Sequence, residues 1–135
     1  MSQDERIACV TCGEKDGNRL GQTIVAGRLM WSRSGLCSQC VAFEEDGYDF
    51  PPDWVRTILL MNGGEWEVMA EGADRVVLLM TIRQLFDLTM VEGVQRSRQF
   101  PSVSKGTKTE AEWVKMKLSD VGVASKVAES RELGG

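Results

Sequence analysis

Every cysteine in the chain lies in one of two C-x-x-C pairs, Cys9-Val10-Thr11-Cys12 and Cys37-Ser38-Gln39-Cys40, with 24 residues between the pairs. A C-x-x-C turn points two sulfurs to the same side of a tight loop. Two such turns supply four thiolates, the donor set of a closed tetrahedral zinc site. Gly13, directly after the first pair, can turn left-handed and let backbone N–H groups face the sulfur. Ser34-Gly35 is a turn signal ahead of the second pair. Two other uses of the thiols remain: a redox C-x-x-C, and plain burial. A redox motif needs one pair beside a βαβ unit, whereas here two pairs crowd a 40-residue stretch. The spacing therefore predicts one zinc ion held by Cys9, Cys12, Cys37 and Cys40. Four protein ligands leave no open position for water or substrate, so the ion is expected to be structural and function to lie on the surfaces around it.

Between the pairs, Gln22–Val25 and Arg28–Ser32 are short β-prone runs joined through Ala26-Gly27. Two cysteine turns joined by a small hairpin resemble the zinc-ribbon class, and residues 1–43 are assigned to such a ribbon. Trp31 with Arg28 and Arg33 would suit either base stacking and phosphate contact or cover over the module's own core. Composition narrows the choices further. The 135-residue chain has no histidine, which removes serine–histidine and cysteine–histidine nucleophilic sites. No apolar run approaches the roughly 18 residues of a membrane helix. The polar start MSQDERIACV is no secretory signal, and a cytoplasmic, thiol-reducing setting is expected. Net charge is −4, and residues 41–74 carry nine acidic side chains against one basic, a stretch that would repel phosphate.

Residues 44–64 read as an acidic linker with a short helix. Glu44-Glu45-Asp46 marks a solvated turn or a lure for a basic partner. Pro51-Pro52 suits a helix start; Trp54, Ile58 and Met61 follow at helical spacing, and Asn62-Gly63-Gly64 stops the helix. From residue 65 the pattern becomes regular. Trp66, Val68 and Ala70 alternate as in a strand, and Asp74 is placed to cap a helix whose inner face is Val77, Leu78, Thr81, Ile82 and Leu85. Thr89-Met90-Val91-Glu92 is a capping box opening a second helix that Pro101 ends. Thr109-Glu110-Ala111-Glu112 is another, opening a helix with Ala111, Val114, Leu118 and Val121 inside and Gly122 at its C-cap. Val123–Val127 closes as a strand. The expected class is α+β, three helices on a short antiparallel sheet.

The stretch "WEVMAEGADRVVLLMTIRQLFDLTMVEGVQ" and the later "TEAEWVKMKLSDVGVASKV" resemble the C-terminal domain of the bacterial ribosomal stalk protein. The matching positions are Gly72, Ala73, Arg75, Val76, Arg83, Leu88, Glu92, Pro101, Gly106, Ala111, Glu112, Leu118, Gly122 and Val127, so the likeness spans residues 65–128. The substrate adaptor of Clp proteases shares the fold class. The resemblance implies a face that binds translation GTPases, here Arg75, Val76, Leu79, Met80, Arg83 and Met90, with Thr89 and Val94 at its border. Met80 and Val94 replace lysines of that family, Phe86–Thr89 replaces a glycine-rich turn, and Arg96 and Ser97 replace apolar residues. The family's dimerising N-terminal helices are replaced by the ribbon and the short helix, and residues 129–135 read as a flexible tail ending in Gly134-Gly135. Together these features predict a non-enzymatic, zinc-binding protein-interaction module acting at the ribosome or translation machinery, with no membrane partner. The alternative is a nucleic-acid-binding ribbon regulating transcription or RNA, which requires Arg6, Lys15, Arg19, Arg28 and Arg33 on one face.

Overall fold

The computed structural model describes residues 2–72 and 74–130. Ala73 and residues 131–135, which include the terminal glycine pair, lie outside the described residues. The chain divides between Gly64 and Glu65 into two compact units. It is α+β with antiparallel sheets, the expected class.

The first unit is a four-stranded meander, β1 (Ser2–Ile7), β2 (Asn18–Val25), β3 (Arg28–Gly35) and β4 (Phe43–Tyr48), followed by helix α1 (Asp53–Gly63). The β2–β3 hairpin turns at Ala26-Gly27, as expected. Both residues have positive φ, 50° and 78°, the geometry that matches the twist of the flanking strands. Two strands were not expected. The polar N-terminus pairs along β2, from Ser2 opposite Thr23 to Ile7 opposite Asn18. The acidic run is a strand rather than a turn, pairing with β3 from Phe43 opposite Gly35 to Tyr48 opposite Met30. Its charges suit an outer strand, where acidic side chains stay in water and discourage edge-to-edge association. Glycines opposite aromatics make this pairing close. A Cβ on Gly35 would stand 2.4 Å from the Phe43 ring, and one on Gly47 would stand 2.8 Å from Trp31 Nε1. Trp31 thus lies across β4 at Gly47.

Side-chain alternation puts Gln3, Glu5, Ile7, Leu20, Gln22, Trp31 and Arg33 on one face of this sheet. Helix α1 covers that face. Val55 and Leu59 are fully buried with Leu20, and Ile7 and Ile58 complete the cluster. The Gln3 side-chain amide donates to the Leu59 carbonyl at 2.7 Å, fastening β1 to the helix. Residues 44–64, read from sequence as a linker, thus form a strand and the covering helix of the first unit.

The second unit runs β5 (Trp66–Glu71), α2 (Arg75–Phe86), α3 (Met90–Ser97), β6 (Ser102–Gly106), α4 (Lys108–Asp120) and β7 (Ala124–Glu129), with strand order β6-β5-β7. Asp74 caps α2 by accepting from the Val76 and Val77 N–H groups, and Thr89 with Glu92 forms the expected capping box on α3. Asp87 takes the left-handed position, φ 52°, after α2. The expected box at Thr109 and Glu112 is displaced by two residues. Thr107 and Glu110 form it, and α4 begins at Lys108. The stretch Thr-Lys-Thr-Glu-Ala-Glu offers both spacings. The choice falls on Thr107 because β6 ends at Gly106 and delivers Thr107, fully buried, to the helix start. Strand β6 has one apolar residue, Val103, among polar neighbours, so periodicity hides it. Helix α3 stops at Ser97, short of Pro101. Ser97 is buried there, its hydroxyl donating to the Val94 carbonyl at 2.6 Å. At the end of α4, Gly122 N–H donates to Ser119 and Val123 N–H to Leu118, the paired bonds of a left-handed helix stop. Val121, expected inside, is 48% exposed, because the helix turns off before bringing it round.

Leu118 is fully buried in this unit. Leu118→Ala should cost about 2–5 kcal/mol in chemical denaturation. Val121→Ala, one turn-end later and facing water, should change stability by less than about 0.5 kcal/mol. Equal costs at the two sites would contradict this packing.

Candidate metal centre

The strand register decides where the cysteines meet. Ile7 pairs with Asn18, Asn18 with Gly35, and Gly35 with Phe43, so all four strands end in line. The β1–β2 loop, residues 8–17, and the β3–β4 loop, residues 36–42, therefore leave the same end of the sheet. The first carries Cys9 and Cys12, the second Cys37 and Cys40. Their sulfurs all lie within 4.8 Å of one another. The Cys9–Cys40 separation is 4.0 Å and the Cys12–Cys37 separation 3.1 Å. All four are free thiols. Sulfurs about 2.3 Å from a central zinc stand about 3.8 Å apart, so a tetrahedron needs the Cys12–Cys37 edge to open by several tenths of an ångström and separations as wide as 4.8 Å to close.

The loops are built to hold this shape. Cys9 N–H donates to the Glu14 carbonyl at 2.9 Å and Gly13 N–H to the Cys9 carbonyl at 2.8 Å, closing a compact turn with Gly13 at φ 80°. Val10 N–H donates to Asn18 Oδ1 at 3.1 Å, anchoring the turn to β2. In the second loop Gln39 N–H donates to the Cys37 sulfur at 3.3 Å. Leu36 N–H donates to the Gly17 carbonyl at 2.8 Å, tying one loop to the other. A carboxylate makes a second tie. Glu14 accepts from the Ser38 hydroxyl at 2.6 Å and from the Ser38 N–H at 3.0 Å. The Ser38 hydroxyl chiefly holds the Glu14 carboxyl below its ordinary pKa.

The thiols differ in acidity for local reasons. Backbone N–H groups of Cys12 and Thr11 aim at the Cys9 sulfur and bring it down to about 6. The Cys40 thiol is pushed up to about 12, first by its contact with Cys37 and then by Cys12. Contact with Cys37 also raises Cys12. Crowded sulfurs cannot all carry negative charge unless a cation sits among them, which is the condition a metal ion satisfies.

Three contributors escaped the sequence reading. Gly17 is pressed between the turns: a Cβ there would stand 2.8 Å from the Cys9 Cβ and 3.2 Å from the Cys37 Cβ. The Asp16-Gly17 dipeptide was its only signal. The Glu14–Ser38 tie spans two loops distant in sequence and left none, and neither did the Asn18 anchor.

The expected partner face divides on α2 and α3. Val76, Met80 and Met90 are 66%, 52% and 49% exposed. Arg75, Leu79 and Arg83 instead connect the two helices. Arg75 donates to Ser97 at 3.1–3.2 Å, and Arg83 Nε donates to the Leu88 carbonyl at 3.3 Å. Leu79 and Arg83 both pack over Gly93, where a Cβ would meet them at 2.7–3.0 Å. The five cations needed for a nucleic-acid face are not assembled on one side of the sheet. Arg6, Arg19 and Arg28 share the face away from α1. Arg33 lies on the opposite face against Glu45 at 2.9 Å, with its guanidinium over the Phe43 and Trp54 rings. Arg19 is forked onto Asp4, and Arg28 stands 3.7 Å from Asp49. Among the described residues no helix is long and apolar enough to cross a membrane.

Metal analysis should give one ion per chain, lost in Cys12→Ser and Cys40→Ser. Gly17→Ala should weaken binding about tenfold to a hundredfold in a competing-chelator titration, by pushing the two turns apart without touching a ligand. Affinity should fall as pH falls, because protons compete for every sulfur. Unchanged affinity in Gly17→Ala would overturn the role given to that close approach.

No protein-family model matches the chain, and no curated protein matches it significantly.

Proposed function

We propose that the chain is a non-enzymatic, zinc-stabilised protein-interaction module whose working surface is the outer side of α2 and α3, acting in the setting of the ribosome or translation. The carrying observation is the row of exposed apolar side chains there: Val76, Met80, Met90, Val91 and Val94. Singly exposed apolar residues are ordinary on any surface, but a run of five on two adjacent short helices is a docking composition. Zinc is the metal of choice for four thiolates in a closed tetrahedron with no imidazole, and such a site serves folding rather than catalysis.

The order strand, two helices, strand, helix, strand supports the resemblance to the ribosomal stalk C-terminal domain. Met80 in place of lysine makes the face less basic and more apolar. Its partner is therefore expected to offer an apolar groove rather than an acidic rim. Arg75 and Arg83 frame the patch while their bonds hold α3 in place.

Val76→Asp and Met80→Asp should leave the fold and the metal content intact and abolish retention of ribosomes or of a purified translation GTPase on the immobilised chain. Leu79→Asp is the wrong test, since that side chain packs over Gly93. Retention that survives both substitutions would place the working surface elsewhere.

A further inference from the structure

A groove of about 350 Å³ opens beside β6, lined by Arg96, Gln99, Ser102, Val103, Ser104 and Lys105. Four of these six are consecutive residues of the strand, and the other two come from α3 and the turn that follows it. The groove thus runs along a strand, the shape that admits an extended chain. Strand β6 is an edge. Among the described residues it pairs with no strand but β5, so its outer side borders room for a further strand, with the Val103 carbonyl taken by Arg96 and the Ser102 N–H by the Gln99 carbonyl.

Charge selects the occupant. Arg96 is half-buried. Its Nη2 donates to the Val103 carbonyl at 3.1 Å and its guanidinium lies 4.7 Å over the Phe86 ring. Those two contacts leave most of its five donors unused, and no carboxylate accompanies it among the described residues. Burial of this guanidinium without an anion lowers its pKa. Lys105 and Ser102 already serve the Glu67 carboxylate, at 3.8 Å and 2.5 Å. The groove therefore carries about one uncompensated positive charge. A singly charged carboxylate matches that charge, whereas the nearby Glu67 would repel a dianionic phosphate.

We infer that this groove is a second docking site, separate from the α2–α3 face, for an extended, otherwise uncharged segment of a partner protein that carries a single carboxylate, which lies along the edge of β6 and sets that carboxylate against Arg96. The inference does not depend on the partner proposed for α2 and α3.

The test uses the full, metal-loaded chain labelled with ¹⁵N and, as probe, a roughly ten-residue end-blocked peptide of serine, threonine and valine with one central glutamate. Titration should shift the backbone amides of residues 102–105 and the Arg96 Nε resonance together. Arg96→Gln should weaken the binding at least tenfold. Gln99→Glu, a change at an exposed side chain that lines the groove, should weaken it similarly and guards against misfolding of the Arg96 variant. A Val76→Asp chain should bind the probe as the parent does. Shifts scattered over surface lysines, equal shifts from the same peptide with glutamine in place of its glutamate or from inorganic phosphate at matched ionic strength, or binding indifferent to both groove substitutions would each overturn the assignment.

Discussion

The first unit depends on one alignment of strand ends. Because Ile7, Asn18, Gly35 and Phe43 stand side by side, the two cysteine loops leave the sheet together and four sulfurs come within 4.8 Å of one another. A slip of one residue in any pairing would turn a strand's side chains to the other face and carry its loop out of reach. The metal centre is thus a product of sheet register. The reverse also holds: an ion bound by both loops would fix that register against the weak preferences of strands as polar as β1 and β4. Only a small apolar cluster, Leu20, Val55 and Leu59 with Ile7 and Ile58, supports the same sheet from its covered face. A module with so little apolar core gains much from a structural metal.

The second unit is held by different means. Its helices begin at well-formed caps, Asp74, Thr89 and Thr107, and its sheet is closed by α4 through Leu118 and Val114. Two polar residues of α3, Ser97 and Arg96, have structural work. Ser97 terminates α3 with a bond to its own helix and accepts Arg75. Arg96 lies across Phe86 and reaches the edge of β6. These two polar residues are held by hydrogen bonds, and the second leaves a cation in a groove. The apolar face on the outside of α2 and α3 remains as a separate surface.

Much was legible in the chain before its fold. The cysteine spacing named all four members of the sulfur cluster, because a C-x-x-C turn is a local object whose geometry needs no distant partner. Capping signals at Asp74 and Thr89, the Ala26-Gly27 hairpin and the Gly122 helix stop were legible for the same reason. Where two local signals competed, as in Thr107 and Thr109, the sequence could not choose between them. The strand before them, with only Val103 to mark it, supplied the decision.

What the sequence determined by itself was the chemistry: four thiolates, no imidazole, an acidic middle and an apolar run on one helix. What only the tertiary structure decided was adjacency. β1 and β4 are strands because β2 and β3 offer edges to pair with, a preference that polar residues such as Ser2–Ile7 do not carry alone. Gly17 matters because two turns from distant parts of the chain press on it, and Glu14 meets Ser38 only once both loops reach one end of the sheet. Leu79 and Arg83 are half-buried because α3 packs over them at Gly93. Contacts between residues far apart in sequence have no local signature, since they arise from strand register and helix packing that the whole unit must settle together.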